Sequence, residues 1–180
     1  MKLICLIFFA IVCAACNVGS PTKYRPHFVV DQLEHYSIKL SSGEEMKLIE
    51  AESLSDKEIR LNDVVIQPER EKIADTIRLI GLEKIGFTKK EVHRSKFESI
   101  NKLFCEKEHK QDMLSTTCIP FYRDVLIFRN KGKIVGAAKV CFDCGHHIIS
   151  GTKYNTNSFG QSSDYEKLQN LLYENHSIRN

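Results

Sequence analysis

The alternation of apolar and polar residues predicts one hairpin with particular clarity. Residues 125–128 form a continuous apolar run, residues 130–133 are rich in turn-forming types, and residues 134–142 have the pattern of a return strand. A short apolar run of this kind, followed directly by a turn, indicates a strand that is covered on both faces. We therefore expect a hairpin that lies inside a sheet.

Further strands are expected nearer the N-terminus. Residues 36–40 and 46–51 alternate on either side of a polar break at residues 41–44, which predicts a hairpin with a four-residue turn. Residues 59–61 and 64–66 are compatible with one more short strand, with a turn at Asn62 and Asp63. No element is predicted for the polar connector 105–117 or for the polar stretch from residue 146 to about 161.

Three segments have the signals of helices. Pro68 suits the first helical position, acidic residues follow it, and apolar residues then recur at helical spacing until Gly81 or Gly86. Residues 88–91 and 163–166 both have the capping-box pattern that precedes a helix. The apolar positions of the three stripes are Ile73, Ile77 and Ile80, then Phe97, Ile100, Leu103 and Phe104, and finally Tyr165, Leu168 and Leu172.

These elements predict an α+β fold in which a small antiparallel sheet, built from hairpins, packs against two or three helices. The chain has 180 residues, of which 42% are hydrophobic and 27% are charged, and this composition excludes a disordered protein. No internal repeat is present. Residues 31–180 are expected to form a single domain.

The first fifteen residues have the pattern of an export signal. Lys2 supplies a basic start, residues 3–12 are continuously apolar, and small residues follow up to Ala15. The apolar run is shorter than the stretch of about 20 residues that spans a bilayer as a helix. We expect residues 1–15 to be a signal peptide.

The sequence Ala14-Ala15-Cys16 resembles the lipobox of bacterial lipoproteins, in which small residues precede a cysteine that is lipidated and becomes the new N-terminus. Cys13 departs from that family's pattern, which has an aliphatic residue there. The resemblance implies lipidation of Cys16 and attachment to the bacterial cell membrane or outer membrane, facing the periplasm or the exterior. Residues 16–30 would then be a flexible tether. The segment is also compatible with an ordinary cleaved signal peptide or with an uncleaved anchor.

The net charge and its distribution indicate which partners to expect. Removal of residues 1–15 takes away only one charged residue, Lys2, so the net charge changes from +3 to +2. The remaining charges are mixed along the chain, without a block of lysine and arginine, and we therefore expect no nucleic-acid partner. The expected partners are the membrane, through the N-terminal lipid, and an envelope protein.

Four of the seven cysteines remain after the signal and Cys16 are set aside: Cys105, Cys118, Cys141 and Cys144. An even number of cysteines in an exported protein favours disulfides. If the hairpin turn centres on residues 131–132, paired positions sum to about 263. Cys141 then lies opposite Tyr122 and Cys144 opposite Ile119, next to Cys118. Three thiols are thus expected at one end of the hairpin.

Several chemistries are open to these thiols. Cys118 could form a structural disulfide with Cys141 or Cys144, and Cys105 would then be free or paired with the remaining thiol. The spacing Cys141-x-x-Cys144 also occurs in zinc sites, where Cys105 or Cys118 and His146 or His147 could complete four ligands. The same spacing is compatible with a redox dithiol, and the thiols could equally have no shared role. Zinc is the only cofactor that the sequence suggests.

The remaining polar residues suggest no catalytic site. Arg123 could pair with Asp124. Five scattered histidines are expected on the surface: His27, His35, His93, His109 and His176. The sequence contains no nucleophile elbow, phosphate-binding loop, zinc-protease motif or dinucleotide fingerprint. Residues 118–145 are similar to a pattern in small uncharacterised bacterial lipoproteins, a resemblance that implies no activity.

Two hypotheses for function follow. In the first, the protein is a lipid-anchored, non-enzymatic binding or interaction domain of the cell envelope. In the second, it handles thiols, disulfides or zinc through Cys118, Cys141 and Cys144.

Overall fold

A five-stranded antiparallel sheet forms the centre of the fold in a computed structural model that describes residues 25–67, 79–108 and 117–173. The spatial order of its strands is β3-β2-β5-β6-β7, and β1 and β4 form a separate pair. In chain order the strands are β1 (Arg25–Pro26), β2 (Gln32–Ser37), β3 (Thr88–Glu91), β4 (Cys105–Glu106), β5 (Asp124–Asn130), β6 (Lys133–Cys141) and β7 (His146–Ser150). The α-helices among the described residues are α1 (Ser42–Glu50), α2 (Asp56–Val65), α3 (Phe97–Leu103) and α4 (Asp164–Leu172).

Helices cover both faces of the sheet. Because successive side chains of a strand point to opposite faces, β5 contributes Leu126 and Phe128 to one apolar cluster and Val125 and Ile127 to the other. The first cluster is completed by α3 and α4, and the second by α1 and α2. The fold is α+β with a small antiparallel sheet packed against helices, as predicted, although the described residues contain four α-helices rather than two or three.

The predicted central hairpin is confirmed. β5 and β6 pair from Asn130↔Lys133 to Asp124↔Val140, and every residue of the predicted apolar run is buried. The register shifts by one residue between Phe128 and Arg129, where the ladder has an irregularity of the β-bulge kind. Paired positions therefore sum to 263 near the turn, as predicted, and to 264 beyond the irregularity.

The prediction of strands between residues 41 and 66 is wrong. Ser41 and Ser55 each form a full capping box, with Glu44 and Glu58 respectively, and these begin α1 and α2. Residues 46–51 and the supposed strand at 59–66 therefore lie in or directly after helices. The capping signals are local and were present in the sequence, but the alternation around them resembled strands.

The capping box expected at residues 88–91 is also wrong, because these four exposed residues form the edge strand β3 beside β2. Residues 146–150, for which no element is predicted, form β7 on the opposite edge. The helices predicted after residues 91 and 163 are present as α3 and α4. Their apolar stripes are buried apart from their first members, Phe97 and Tyr165, which are partly buried. Ser163 does not cap α4 with its side chain, however, because its backbone is left-handed.

The folded part begins earlier in the chain than residue 31, the boundary that follows from the predicted tether at residues 16–30. Arg25 and Pro26 pair with β4, and Phe28 is buried against the sheet, so residues 25–30 belong to the folded part. The signal segment, Cys16, most of the connector after Glu108 and residues 68–78 of the helix predicted from Pro68 to Gly81 or Gly86 lie outside the described residues. The described end of that predicted helix differs from expectation, because Ile80 is 58% exposed in a turn and Leu82–Ile85 form a short 3-10 helix between two glycines with left-handed backbone. Within the described ranges, no helix is long and apolar enough to cross a membrane.

Candidate functional site at the disulfide-bonded end of the sheet

Cys118 and Cys144 form a disulfide at the end of the sheet where β5 begins and β6 ends. Their Cα atoms are 5.9 Å apart, within the usual range for a disulfide, and 26 residues separate them in the chain. Cys144 Sγ lies 3.5 Å from the carbonyl oxygen of Ile119, the residue predicted to lie opposite it. The prediction of a disulfide from Cys118 is confirmed, with Cys144 as its partner.

Cys141 lies next to this bond in the chain and remains a free, buried thiol. It pairs with His146 across β6 and β7, so the two residues close the four-residue loop 142–145 that contains Cys144. Side chains of directly paired residues lie on the same face of a sheet. Three predicted members of the cysteine cluster are therefore at one end of the sheet, two of them as a disulfide.

Tyr122 lies near the free thiol of Cys141 and contacts His146 and Lys139. Its hydroxyl is 2.7 Å from His146 Nδ1, and its ring packs under the Lys139 ammonium at 5.0 Å from the ring centre. Burial raises the pKa of Tyr122 to about 12, and nearby Cys141 adds to this effect, so the phenol keeps its proton. Lys139 also donates to the carbonyls of Val64 and Gln67, which ties this end of the sheet to the C-terminal end of α2.

His147 has other partners than its neighbour His146, which contacts Tyr122. Its Nε2 is 3.2 Å from the Thr156 carbonyl and must donate to it, so its Nδ1, at 2.8 Å, accepts from the Tyr165 hydroxyl. Burial lowers the pKa of His147 to about 4, which keeps the ring neutral. His146 and His147 therefore face different partners, as adjacent residues of a strand do.

Cys105 lies elsewhere, in β4, and its Sγ contacts the carbonyl of Lys102 at 3.1 Å. Burial raises the pKa of this thiol and disfavours the thiolate. In the described part of the chain, no group of three or more His, Cys, Asp or Glu side chains is placed to hold a metal ion. The zinc site stays a prediction, and these residues do not assemble it in the disulfide-bonded state.

A cleft of about 190 Å³ lies at the same end of the sheet. Its walls come from the end of β2, the segment before β5, the loop after β6 and the last turns of α4. The lining residues are Ile38, Phe121, Arg123, Asp124, Phe142, Asp143, Gln169 and Tyr173. The disulfide connects the segment that contains Phe121 to the loop that contains Phe142, so it joins two walls of the cleft.

Asp124 forms the buried part of the cleft wall. Its Oδ1 is 2.7 Å from His35 Nε2 and also accepts a hydrogen bond from the Tyr173 hydroxyl. The His35 and Tyr173 rings meet edge to face at 5.3 Å between centres. Burial and the nearby Asp124 raise the pKa of Tyr173, so this phenol remains a donor.

Two histidines expected on the surface are buried instead. His35 is only 2% exposed, because the carboxylate of Asp124 compensates its burial between the sheet and α4. His27 packs against Phe28 and Tyr154, and neither of its ring nitrogens has a hydrogen-bond partner among the described residues. His93 is exposed as predicted, and His109 and His176 lie outside the described residues.

Arg123 does not pair with Asp124, because neighbouring residues of an extended chain point in opposite directions. Its guanidinium instead bonds the carboxylates of Glu45 and Asp143, and it lies 5.9 Å from the centre of the Phe121 ring. One arginine is therefore shared by two carboxylates at the rim of the cleft.

Comparison with known proteins supplies no relative. No protein-family model, curated protein or solved structure matches the chain. The function therefore has to be argued from this chain's own residues.

Sequence reasoning found the disulfide and missed the cleft. The cleft combines residues of β2, of the segment before β5, of the loop after β6 and of α4, which the sequence separates by up to 135 positions, from Ile38 to Tyr173. The buried strand β2 also carries Glu34 and His35, whose polarity hid its position in the sheet. The one available signal was the pair Arg123 and Asp124 directly before an apolar strand.

Proposed function

We propose that the protein is a lipid-anchored protein of the bacterial cell envelope, whose α+β domain binds a partner protein through the cleft at the disulfide-bonded end of the sheet. The sequence Ala14-Ala15-Cys16 after an apolar segment is the observation that carries the proposal. Attachment of Cys16 through several acyl chains would anchor the protein stably, whereas one chain would not.

The start of the fold supports an anchored position. Arg25, in β1, is nine positions after Cys16, and an extended chain spans at most about 3.6 Å per residue. Arg25, the start of the folded part, would thus lie within roughly 30 Å of the membrane surface.

Metabolic labelling with a fatty-acid analogue tests the anchor. The full chain, produced in a bacterial host, should incorporate the label and sediment with membranes, and Cys16→Ala should lose both properties. Cys5→Ala is the matched control, since it removes a thiol from the apolar run without changing the residues next to Cys16, and it should keep the label. A wild-type protein that stays unlabelled and soluble would refute the proposal, as would label retained in Cys16→Ala.

A second function, thiol–disulfide exchange or zinc handling, is favoured by one specific observation. A free thiol, Cys141, ends β6 three residues before the disulfide-bonded Cys144, which lies in the loop 142–145. Only two residues separate these cysteines, the spacing of the Cys-x-x-Cys motifs of disulfide oxidoreductases. Cys144 therefore has two candidate partners.

The exchange would conserve the number of disulfides. After losing its proton to water or buffer base, the Cys141 thiolate attacks Cys144 Sγ, the bond between Cys144 and Cys118 breaks, and Cys118 leaves as a thiolate that takes up a proton. No external oxidant or reductant is needed. The product is a Cys141–Cys144 disulfide and a free Cys118.

Disulfide mapping with and without a glutathione buffer tests this second function, together with metal analysis of the purified protein. A measurable fraction of Cys141–Cys144 bond in wild type, absent from Cys141→Ser and retained in Cys105→Ser, would support exchange. One equivalent of zinc would support metal handling. A Cys118–Cys144 bond that stays unchanged in every condition, without metal, would rule out both.

A further inference from the structure

We infer that the cleft at the disulfide-bonded end of the sheet binds the cationic side chain of a lysine or arginine from a partner protein. This inference rests on the proposed binding function and names the chemistry of the ligand. Three properties of the cleft carry it: its size, its aromatic walls and its charge.

The size of the cleft suits one side chain. Its volume of about 190 Å³ is below the range of roughly 300–1,000 Å³ that is typical of small-molecule pockets. The cleft is open to solvent at the end of the sheet, where the ends of two strands and a helix meet. A single long side chain that projects from a partner can enter such a space.

Aromatic rings provide three of the walls. Phe121, Phe142 and Tyr173 are each partly exposed and line the cleft. The faces of aromatic rings attract ammonium and guanidinium groups, and groups of rings are a recurring way to recognise organic cations. Phe121 already has one guanidinium, that of Arg123, at 5.9 Å from its ring centre.

The charge of the cleft is negative. Asp124 and Asp143 line it, and Glu45 contacts its rim through Arg123, so three carboxylates accompany one guanidinium. Protonation of His35, the partner of Asp124, would still leave more negative than positive charge. Carboxylates form their strongest hydrogen bonds with cationic donors.

Together these features favour a cation over an anionic or an apolar side chain. An anionic side chain would meet Asp124 and Asp143. A purely apolar one would offer no further donor to these carboxylates, which already bond His35 and Tyr173 or Arg123, and it would remove their other acceptor sites from water. A lysine or arginine side chain contacts the rings with its methylenes and the carboxylates with its charged head.

Calorimetric titration of the full-length protein, in detergent micelles, with short blocked peptides tests the inference. The peptides are identical except for a central arginine, lysine, norleucine or glutamate. We expect the arginine and lysine peptides to bind about tenfold more tightly than the norleucine peptide, and the glutamate peptide not to bind. Raising the salt from about 0.05 M to about 0.5 M should weaken the binding of the cationic peptides.

Variants locate the binding. Asp143 is exposed, so Asp143→Asn should fold, and it should weaken the binding of the arginine peptide about threefold. Asp56→Asn is the matched control, because Asp56 is an exposed aspartate that does not line the cleft. Phe142→Leu removes one ring and should weaken binding of the cationic peptides without affecting the norleucine peptide to the same degree.

The outcomes separate this inference from the proposed function. Equal binding of norleucine and arginine peptides, or equal weakening by Asp56→Asn and Asp143→Asn, would overturn the cation specificity. If the protein is lipidated but binds only apolar or acidic peptides, the inference fails and the anchored binding function stands. If it is neither lipidated nor bound by any peptide, both fail.

Discussion

Burial decides the chemistry of single polar residues in this protein. His35 and His147 are both held by specific acceptors or donors, whereas His27 is buried with neither ring nitrogen bonded. Nothing in the local sequence distinguishes these histidines from exposed His93. Burial lowers the pKa of His27 and of His147 in the folded protein, and this makes the stability of the protein depend on pH.

The pH dependence can be predicted for His147, because its pKa of about 4 in the folded protein lies below the ordinary value of 6.5. Between these two values the unfolded chain binds a proton that the folded protein excludes. The stabilising contribution is therefore complete above pH 6.5 and is lost as the pH falls toward 4. We expect a loss of about 3 kcal/mol in the free energy of unfolding from this residue.

Urea denaturation at a series of pH values, followed by circular dichroism, measures this dependence. His147→Asn should lose less stability than wild type between pH 6.5 and 4, whatever its stability at neutral pH. Replacement of the exposed His93 by Asn should keep the wild-type loss. If the two variants and the wild type all lose the same amount, His147 is not the group responsible.

At the scale of elements, close packing between the N-terminal segment and β6 depends on a glycine. A Cβ atom added to Gly136 would overlap the Phe28 ring, which itself stacks on Phe128 with ring centres 4.4 Å apart. Gly43, in the first turn of α1, has open space around it. The same substitution should therefore have opposite effects at the two sites.

We expect Gly136→Ala to lower the free energy of unfolding by about 1–3 kcal/mol, because Phe28 has to leave its place in the apolar cluster. Gly43→Ala should raise it by up to about 1 kcal/mol, because alanine favours the helix. Thermal and urea unfolding of the two variants measure both effects. A Gly136→Ala protein as stable as wild type would show that the Phe28 contact does not constrain the sheet.

At the scale of the whole molecule, the Cys118–Cys144 disulfide closes a long segment of the chain. This segment contains the whole β5–β6 hairpin, so the bond restricts the unfolded chain considerably. For a separation of 26 residues, the chain-entropy model gives between about 3 and 4 kcal/mol of stabilisation. Reduction should therefore destabilise the domain without preventing it from folding.

Wild type should lose between about 3 and 4 kcal/mol of unfolding free energy when a reductant is added. The double variant Cys118→Ser with Cys144→Ser should be destabilised to the same extent and should not respond to the reductant. Amide hydrogens next to the bond, at residues 118–123, should exchange faster in the double variant, because they lose their connection to the loop after β6. Wild-type stability that does not change on reduction would contradict a structural role for the bond.

The parts of the fold that the sequence predicted correctly are those with strong local patterns. The β5–β6 hairpin combines a continuous apolar run with a turn, and α3 and α4 have clear apolar stripes. α1 and α2 were mistaken for strands because alternation in short segments outweighed the capping boxes at Ser41 and Ser55. The similar motif at residues 88–91 became a strand because it pairs with the edge of β2.

Part of the candidate site could likewise be predicted from local sequence, and part could not. The prediction that Cys118 would meet Cys141 or Cys144 needed only the hairpin and its approximate register, and a one-residue irregularity did not change the result. The cleft beside them could not be predicted, because it exists only where β2, β5, β6 and α4 come together. The pairing of Asp124 with His35 and Tyr173 likewise joins residues from three elements.

Short-range order along the chain was thus enough to define the lipobox-like segment ending at Cys16, the central hairpin, and the set of cysteines near its end. The packing of distant elements decided the rest: which thiol stays free, which histidines are buried, and where aromatic rings and carboxylates surround a common space. The physical reason is that a hairpin and its turn follow from neighbouring residues, whereas burial, charge complementarity and the pairing of distant strands involve residues brought together from separate parts of the chain.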